Sequence, residues 1–259
     1  MLAKLTGWFL LALVRLLTGA QARWWGCPPK AEQRIYFANH QSHIDLVMIW
    51  AALPQELRSI TRPIAARDYW TNSPFKRWIT TEVFNAIYVE RGGSAPLPAE
   101  LVTPAPAPAA PRERVEPSLD AEPPPPDPIA DGSQAELPLA ADTPLTPGSP
   151  EALLPLQPLI DALQSGDSII IFPEGTRGHT GEPQKFKSGL YTLAQMFPDV
   201  VLVPAWIDNV QRVMPKGEVV PVPILCSVTF GAPIQVEDGE ERRPFLDRAR
   251  AAVVALRDV

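Results

Sequence analysis

Proline placement constrains this chain more than any other feature. The 259 residues contain 32 prolines against 15 glycines, and 16 of the 32 prolines lie between Pro96 and Pro150. That stretch reads PAPAPAAP, then EPPPPDP, then TPLTPGSP, with no aromatic residue and no hydrophobic period of 2 or 3.6. Each proline removes an amide donor and fixes φ, so neither a helix nor a strand ladder can propagate through it. Ser94 to Pro150 is therefore expected to be a disordered or extended insert. Any packed structure has to come from the residues on either side.

The insert also carries most of the charge. It holds nine acids and two arginines, a net of −7, against −6 for the whole chain, so the remainder stands at +1. A near-neutral folded part with no dense basic stripe does not call for a nucleic-acid partner. The hydrophobic fraction of 46% and charged fraction of 20% exclude a wholly disordered chain or a coiled coil. Cys27 and Cys226 are too few for a disulfide framework or a cysteine zinc site.

Outside the insert, strand and helix signals alternate. Arg34 to Asn39 reads as a buried strand feeding an apolar helix, IDLVMIWAAL. Arg58 to Ala66 and Ala86 to Val89 read as further strands, with a helix from Pro74 to Phe84 between them. After the insert come a helix over Glu151 to Gln164, stopping near Gly166, and a β-branched strand over Ser168 to Phe172. A helix over Lys187 to Met196 follows, then strands over Val200 to Trp206 and Pro223 to Phe230, then an amphipathic helix from Glu240 onward. This alternation predicts an α/β fold with helices flanking a mixed, largely parallel sheet. One domain made of residues 27–93 and 151–259 would be interrupted by the insert at 94–150, with residues 1–26 as a separate amino-terminal helix.

Leu5 to Val14 is an uncharged run of ten residues, half of what a spanning helix needs (about 20). Three readings compete. In a half-inserted anchor, Lys4, Arg15 and Arg23 would reach lipid headgroups and Trp24-Trp25 would sit at the interface. In a secretory signal, Ala20-Gln21-Ala22 would be the cleavage site. In the third, the run is simply a buried first helix.

Two clusters carry chemistry. His40 and Asp45 follow the first strand at a spacing that lets a carboxylate reach back to the imidazole. A carboxylate on one ring nitrogen fixes the tautomer and leaves the other nitrogen as a base. The same residues admit two other readings. Asp45 can close a capping box onto the amide of Ser42, or His40, His43 and Asp45 can serve as metal ligands. The second cluster is Phe172-Pro173-Glu174-Gly175-Thr176-Arg177, where α/β proteins place ligand loops. Gly175 permits close backbone approach, and Thr176 and Arg177 offer a hydroxyl and a planar fork suited to phosphate. The bland alternative is a loop in which Glu174 and Arg177 pair with each other. Lys185 and Lys187, in KFKSGL, add charge near the next helix.

Together these clusters resemble the glycerolipid acyltransferase family, in particular bacterial 1-acylglycerol-3-phosphate acyltransferases. The family's H-x4-D block is matched by Asn39 to Asp45, and its third block by Phe172 to Arg177 without change. Asn85 to Arg91 is similar to the second block, with Asn85 where the family has glycine and Arg91 kept. Val203-Pro204-Ala205 is similar to the fourth, with a smaller residue at Ala205. The tail from Asn209 through Met214 to Glu218 and on to Phe230 to Pro233 is also similar.

The resemblance implies acyl transfer from a thioester to the free hydroxyl of a lysophospholipid, with 1-acylglycerol-3-phosphate the commonest acceptor. His40 would be the base and Asp45 its partner. Arg91 and Arg177 would hold the acceptor phosphate, with Glu174, Gly175 and Thr176 completing that site. No bound metal or cofactor is implied, only acyl-CoA or acyl-carrier protein as co-substrate. The expected location is the inner membrane, peripheral or monotopic, with the site on the cytoplasmic side and the anchor uncleaved. Other acceptors, such as a lyso-ornithine lipid, remain open, as do thioester hydrolysis and a non-catalytic membrane scaffold.

Overall fold

A computed structural model describes residues 2–19, 21–42, 44–89, 153–178, 181–209 and 225–259. The proline-rich insert, Arg91, His43 and the segment from Met214 to Glu218 lie outside the described residues.

The chain opens with α1 (Leu2–Thr18), followed by β1 (Gln21–Trp24), β2 (Arg34–Ala38) and α2 (Asp45–Ala52). Then come α3 (Gln55–Ser59), β3 (Thr61–Ala66), α4 (Arg67–Trp70) and α5 (Pro74–Trp78), which runs on as a π-helical turn, Ile79–Val83, into β4 (Ile87–Val89). Beyond the insert lie α6 (Gln157–Gln164), β5 (Ser168–Ile171), α7 (Gly189–Met196), β6 (Val201–Asp208), β7 (Ser227–Phe230) and α8 (Arg242–Val254).

The seven strands form one sheet in the order β1-β7-β6-β2-β5-β3-β4. Every neighbouring pair is parallel except β6 with β7. The expected mixed, largely parallel sheet is thus the observed one, and strands from both sides of the insert share it. The middle strands are apolar on both faces, as covered parallel sheets require. Ile35, Tyr36, Phe37, Ile169, Ile170 and Ile171 are all fully buried. The helix α2 packs over β3, β6 and β7 and against α1, whereas α6 lies on β4 and β5 and α8 on β6.

Several boundaries differ from the sequence expectation for local physical reasons. Arg58 and Ser59 belong to α3, so the strand begins only at Thr61. Pro155 and Pro158 lack amide donors, and the helix expected from Glu151 is a 3₁₀ turn over Leu154–Leu156 before α6. Asn85, standing where the resembled block has glycine, takes φ +49°. Asparagine is among the few side chains that enter the left-handed region readily, so the turn before β4 is kept.

Part of the amino terminus is built into the sheet. Trp24 stacks its ring on Phe230 at 4.2 Å in the edge strand and stays half-buried, while Trp25 is 62% exposed. Arg23 donates to the carbonyl of Val259 at 3.0 Å, and Arg15 to that of Ala51 at 3.4 Å. Gln21 and Ala22, from the candidate cleavage site, pair with Ser227 and Val228. The third reading, a buried helix, fits Leu11 and Thr18, with Leu10 and Val14 half-buried against the core, whereas Leu2, Leu5, Trp8, Phe9 and Leu16 are between 66% and 81% exposed. No described helix is long and apolar enough to cross a membrane.

Candidate active site

The parallel strands β6, β2, β5, β3 and β4 end on one edge of the sheet, where open α/β folds place their ligands. Phe37 of β2 is in register with Ile171 of β5. His40 and Glu174 each follow three residues later, so the two sequence clusters leave the sheet side by side.

The end of β2 is pinned first. The Asn39 amide donates to the carbonyl of Ile207 at 3.0 Å and accepts from its N–H at 2.8 Å, tying the residue to β6. His40 is then clamped through its backbone. Its N–H donates to Glu174 Oε1 at 2.7 Å, and its carbonyl accepts from the N–H of Gly178 at 2.8 Å. Its ring stacks on Phe172 with centroids 4.3 Å apart. His40 Nδ1 lies 2.9 Å from Asp45 Oδ2. In the neutral ring, with that carboxylate accepting, the proton would sit on Nδ1 and leave Nε2 its lone pair. Nε2 has no partner among the described residues.

Asp45 combines two of the roles the sequence left open. The same Oδ2 accepts from the amides of Gln41 at 2.6 Å and Ser42 at 2.7 Å. It therefore closes the turn before α2 and holds the imidazole at once. Its other oxygen, Oδ1, is buried without a hydrogen-bond partner among the described residues.

A family model for acyltransferases matches residues 28–109 and 148–208, more than half the chain and both clusters. The chain belongs to the acyltransferase family. No curated protein sequence gives a significant match. Among solved structures, the 1-acyl-sn-glycerophosphate (LPA) acyltransferase PlsC from Thermotoga maritima superposes with a TM-score of 0.57 over 99% of this chain and 80% of that one. At 17% identity, that likeness shows a shared fold.

In this acyltransferase, Glu174 does not spend its carboxylate on a side-chain cation. Oε1 takes the His40 amide, and Oε2 accepts the N–H of Gln184 at 2.7 Å. Burial pushes its carboxyl above the ordinary range, with the two amides pulling the other way. Thr176 donates to the Gln184 side chain at 3.4 Å, which in turn donates to the Arg177 carbonyl at 3.4 Å. Thr176 and Arg177 are both partly exposed at the sheet edge. Gly175 has φ +77°, which only glycine adopts without strain.

Neither the Asn39–Ile207 pair nor the Gln184 contacts were expected, because the sequence separations carry no local signal. Lys187 was visible as a charge but not as part of this loop. Its N–H donates to the carbonyl of Pro173 at 2.8 Å.

Proposed function

We propose that the protein transfers a fatty acyl group from a thioester, acyl-CoA or acyl-carrier protein, to the free hydroxyl of a lysophospholipid, with 1-acylglycerol-3-phosphate as acceptor. The observation that carries this reading is the 2.9 Å contact between His40 Nδ1 and Asp45 Oδ2, on an imidazole whose backbone is clamped by the 172–178 loop. His40 Nε2 takes the proton as the acceptor oxygen attacks the thioester carbonyl. Asp45 stabilises the imidazolium that forms. The tetrahedral intermediate expels the thiolate, which recovers the proton from Nε2, and the ester and free thiol leave. A thioester is already activated, so no covalent enzyme intermediate enters.

Arg177 holds the acceptor phosphate, joined by Arg91 from beyond the described residues. Thr176 and Gly175 shape the same cradle, and Glu174 serves it from behind by holding the loop to His40. The exposed apolar face of α1 docks the enzyme on the inner membrane, peripheral or monotopic, with the site on the cytoplasmic side. Purified protein, labelled acyl-CoA or acyl-carrier protein, and a panel of lysolipids test this directly. Transfer to lysophosphatidate above other lysolipids is the expected result. Preference for a lyso-ornithine lipid would replace the acceptor, release of free fatty acid alone would make it a thioesterase, and no turnover with any pair would leave a scaffold.

A further inference from the structure

Lys187 lies two residues before α7, and its backbone is tied to Pro173. From there its side chain runs back along Gly175. A Cβ added to Gly175 would stand 2.8 Å from Lys187 Cε and 3.0 Å from both Cδ and Nζ. The lysine stem therefore occupies the space that a side chain at Gly175 would need. The residue is half-buried, yet its ammonium has no hydrogen-bond or ion-pair partner among the described residues. Other half-buried cations in the chain have found acceptors. Arg62 meets Asp167, Arg248 meets Glu240, and Arg250 donates to the carbonyl of Pro183. Desolvating an ammonium without an acceptor is costly, and three donors aimed past a glycine suit an anionic oxygen arriving from outside.

The location narrows which anion. Gly175 is flanked by Glu174, which holds the His40 amide, and by Thr176 and Arg177. We propose that Lys187 Nζ binds a phosphoryl oxygen of a substrate, opposite the hydroxyl and guanidinium of the same loop. This rests on the acyl-transfer reading above. The shared chemistry is a phosphate ester, carried either by the lysolipid acceptor or by the pantetheine-bearing donor.

The test is initial-rate acyl transfer by the full chain with lysophosphatidate and acyl-CoA, each varied in turn. Lys187→Met is expected to raise one KM by about ten- to hundred-fold, the loss of one charged hydrogen bond, and to weaken inhibition by inorganic phosphate. Lys187→Arg should recover part of both effects, and exposed Lys185→Ala should change neither. A shift confined to the acceptor KM assigns the phosphate to the lysolipid, and one confined to the donor KM assigns it to the donor. Both KM values within twofold of the parent, with unchanged phosphate inhibition, would overturn the proposal. So would lost turnover at constant KM. A second measurement needs neither variant nor turnover: inorganic phosphate should slow acetylation of Lys187, but not of Lys185, by an amine-reactive reagent. Equal slowing of both, or of neither, would overturn the proposal even if acyl transfer is confirmed. Protection without any acyl transfer would fail the functional reading and leave the anion site standing.

Discussion

The helix α1 and the strand β5 use similar apolar side chains to opposite ends. Ile169, Ile170 and Ile171 of β5 are fully buried between layers of helix. In α1, Leu5, Trp8, Phe9 and Leu16 face outward, each more than 60% exposed. Burial of β5 gives the 172–177 loop a rigid base on which His40, Asp45 and Glu174 are positioned. The α1 face does nothing for the fold that water would not rather undo, and its Lys4 and aromatic residues suit a lipid boundary. In the proposed function, reaction and docking thus rest on separate groups of residues, and each should be removable without the other.

The largest expected separation comes from His40→Ala. A positioned base supplies ~10²–10⁴-fold in rate, so turnover should fall by that factor while vesicle binding and melting stay near the parent's. Retention of more than about a tenth of turnover would remove His40 from the chemistry. Next is packing. Ile170→Ala should cost about 2–5 kcal/mol in denaturant unfolding, whereas Leu16→Ala should stay within about 0.5 kcal/mol. Equal losses would mean that α1 is held to the domain as tightly as β5. Third, Trp8→Ala should weaken sedimentation with phospholipid vesicles by about 1.5–3 kcal/mol of lost apolar transfer. It should leave turnover on dispersed short-chain lysolipid unchanged, and parent-like vesicle binding would place the docking face elsewhere.

The smallest effect is a pH slope. Burial raises the Glu174 carboxyl above its ordinary value of 4.5. In the window between that value and the raised one, the folded state binds more proton than the unfolded state. Stability contributed by this group is therefore present below the window and lost as pH rises through it. Unfolding of the parent measured against Glu174→Gln across that range should show the extra downward slope only in the parent.

What the sequence made legible follows from where the signal is local. The runs RIYFA and SIII are apolar or β-branched after their first residue and could be read directly as buried strands. The QARW strand has no such run, and β1 exists because Gln21 to Trp24 pair with β7, some two hundred residues away. The site shows the same division. His40, Asp45 and Glu174 sit in recognisable blocks, and the reach of Asp45 back to His40 follows from spacing. That Glu174 grips the His40 amide, or that Asn39 reads the backbone of Ile207, depends on which strands become neighbours. Only the assembled sheet decides that.

The junction between α1 and β1 has a mechanical consequence. Gly19 donates to the carbonyl of Arg15, and Cys226, just ahead of β7, donates to Thr18 and accepts from Gln21. The last residue of α1 and the first residue of β1 are therefore both tied to Cys226. Two hydrogen bonds to one residue couple the end of the helix to the start of the strand. Under the membrane docking proposed above, the depth and tilt of α1 at a lipid boundary are handed on to β1 and β7, and through the sheet to His40. In that reading the helix acts as a depth gauge, fixing how far above the headgroups the imidazole works, and lengthening the joint with glycines would blur that setting without touching any residue at the reacting edge.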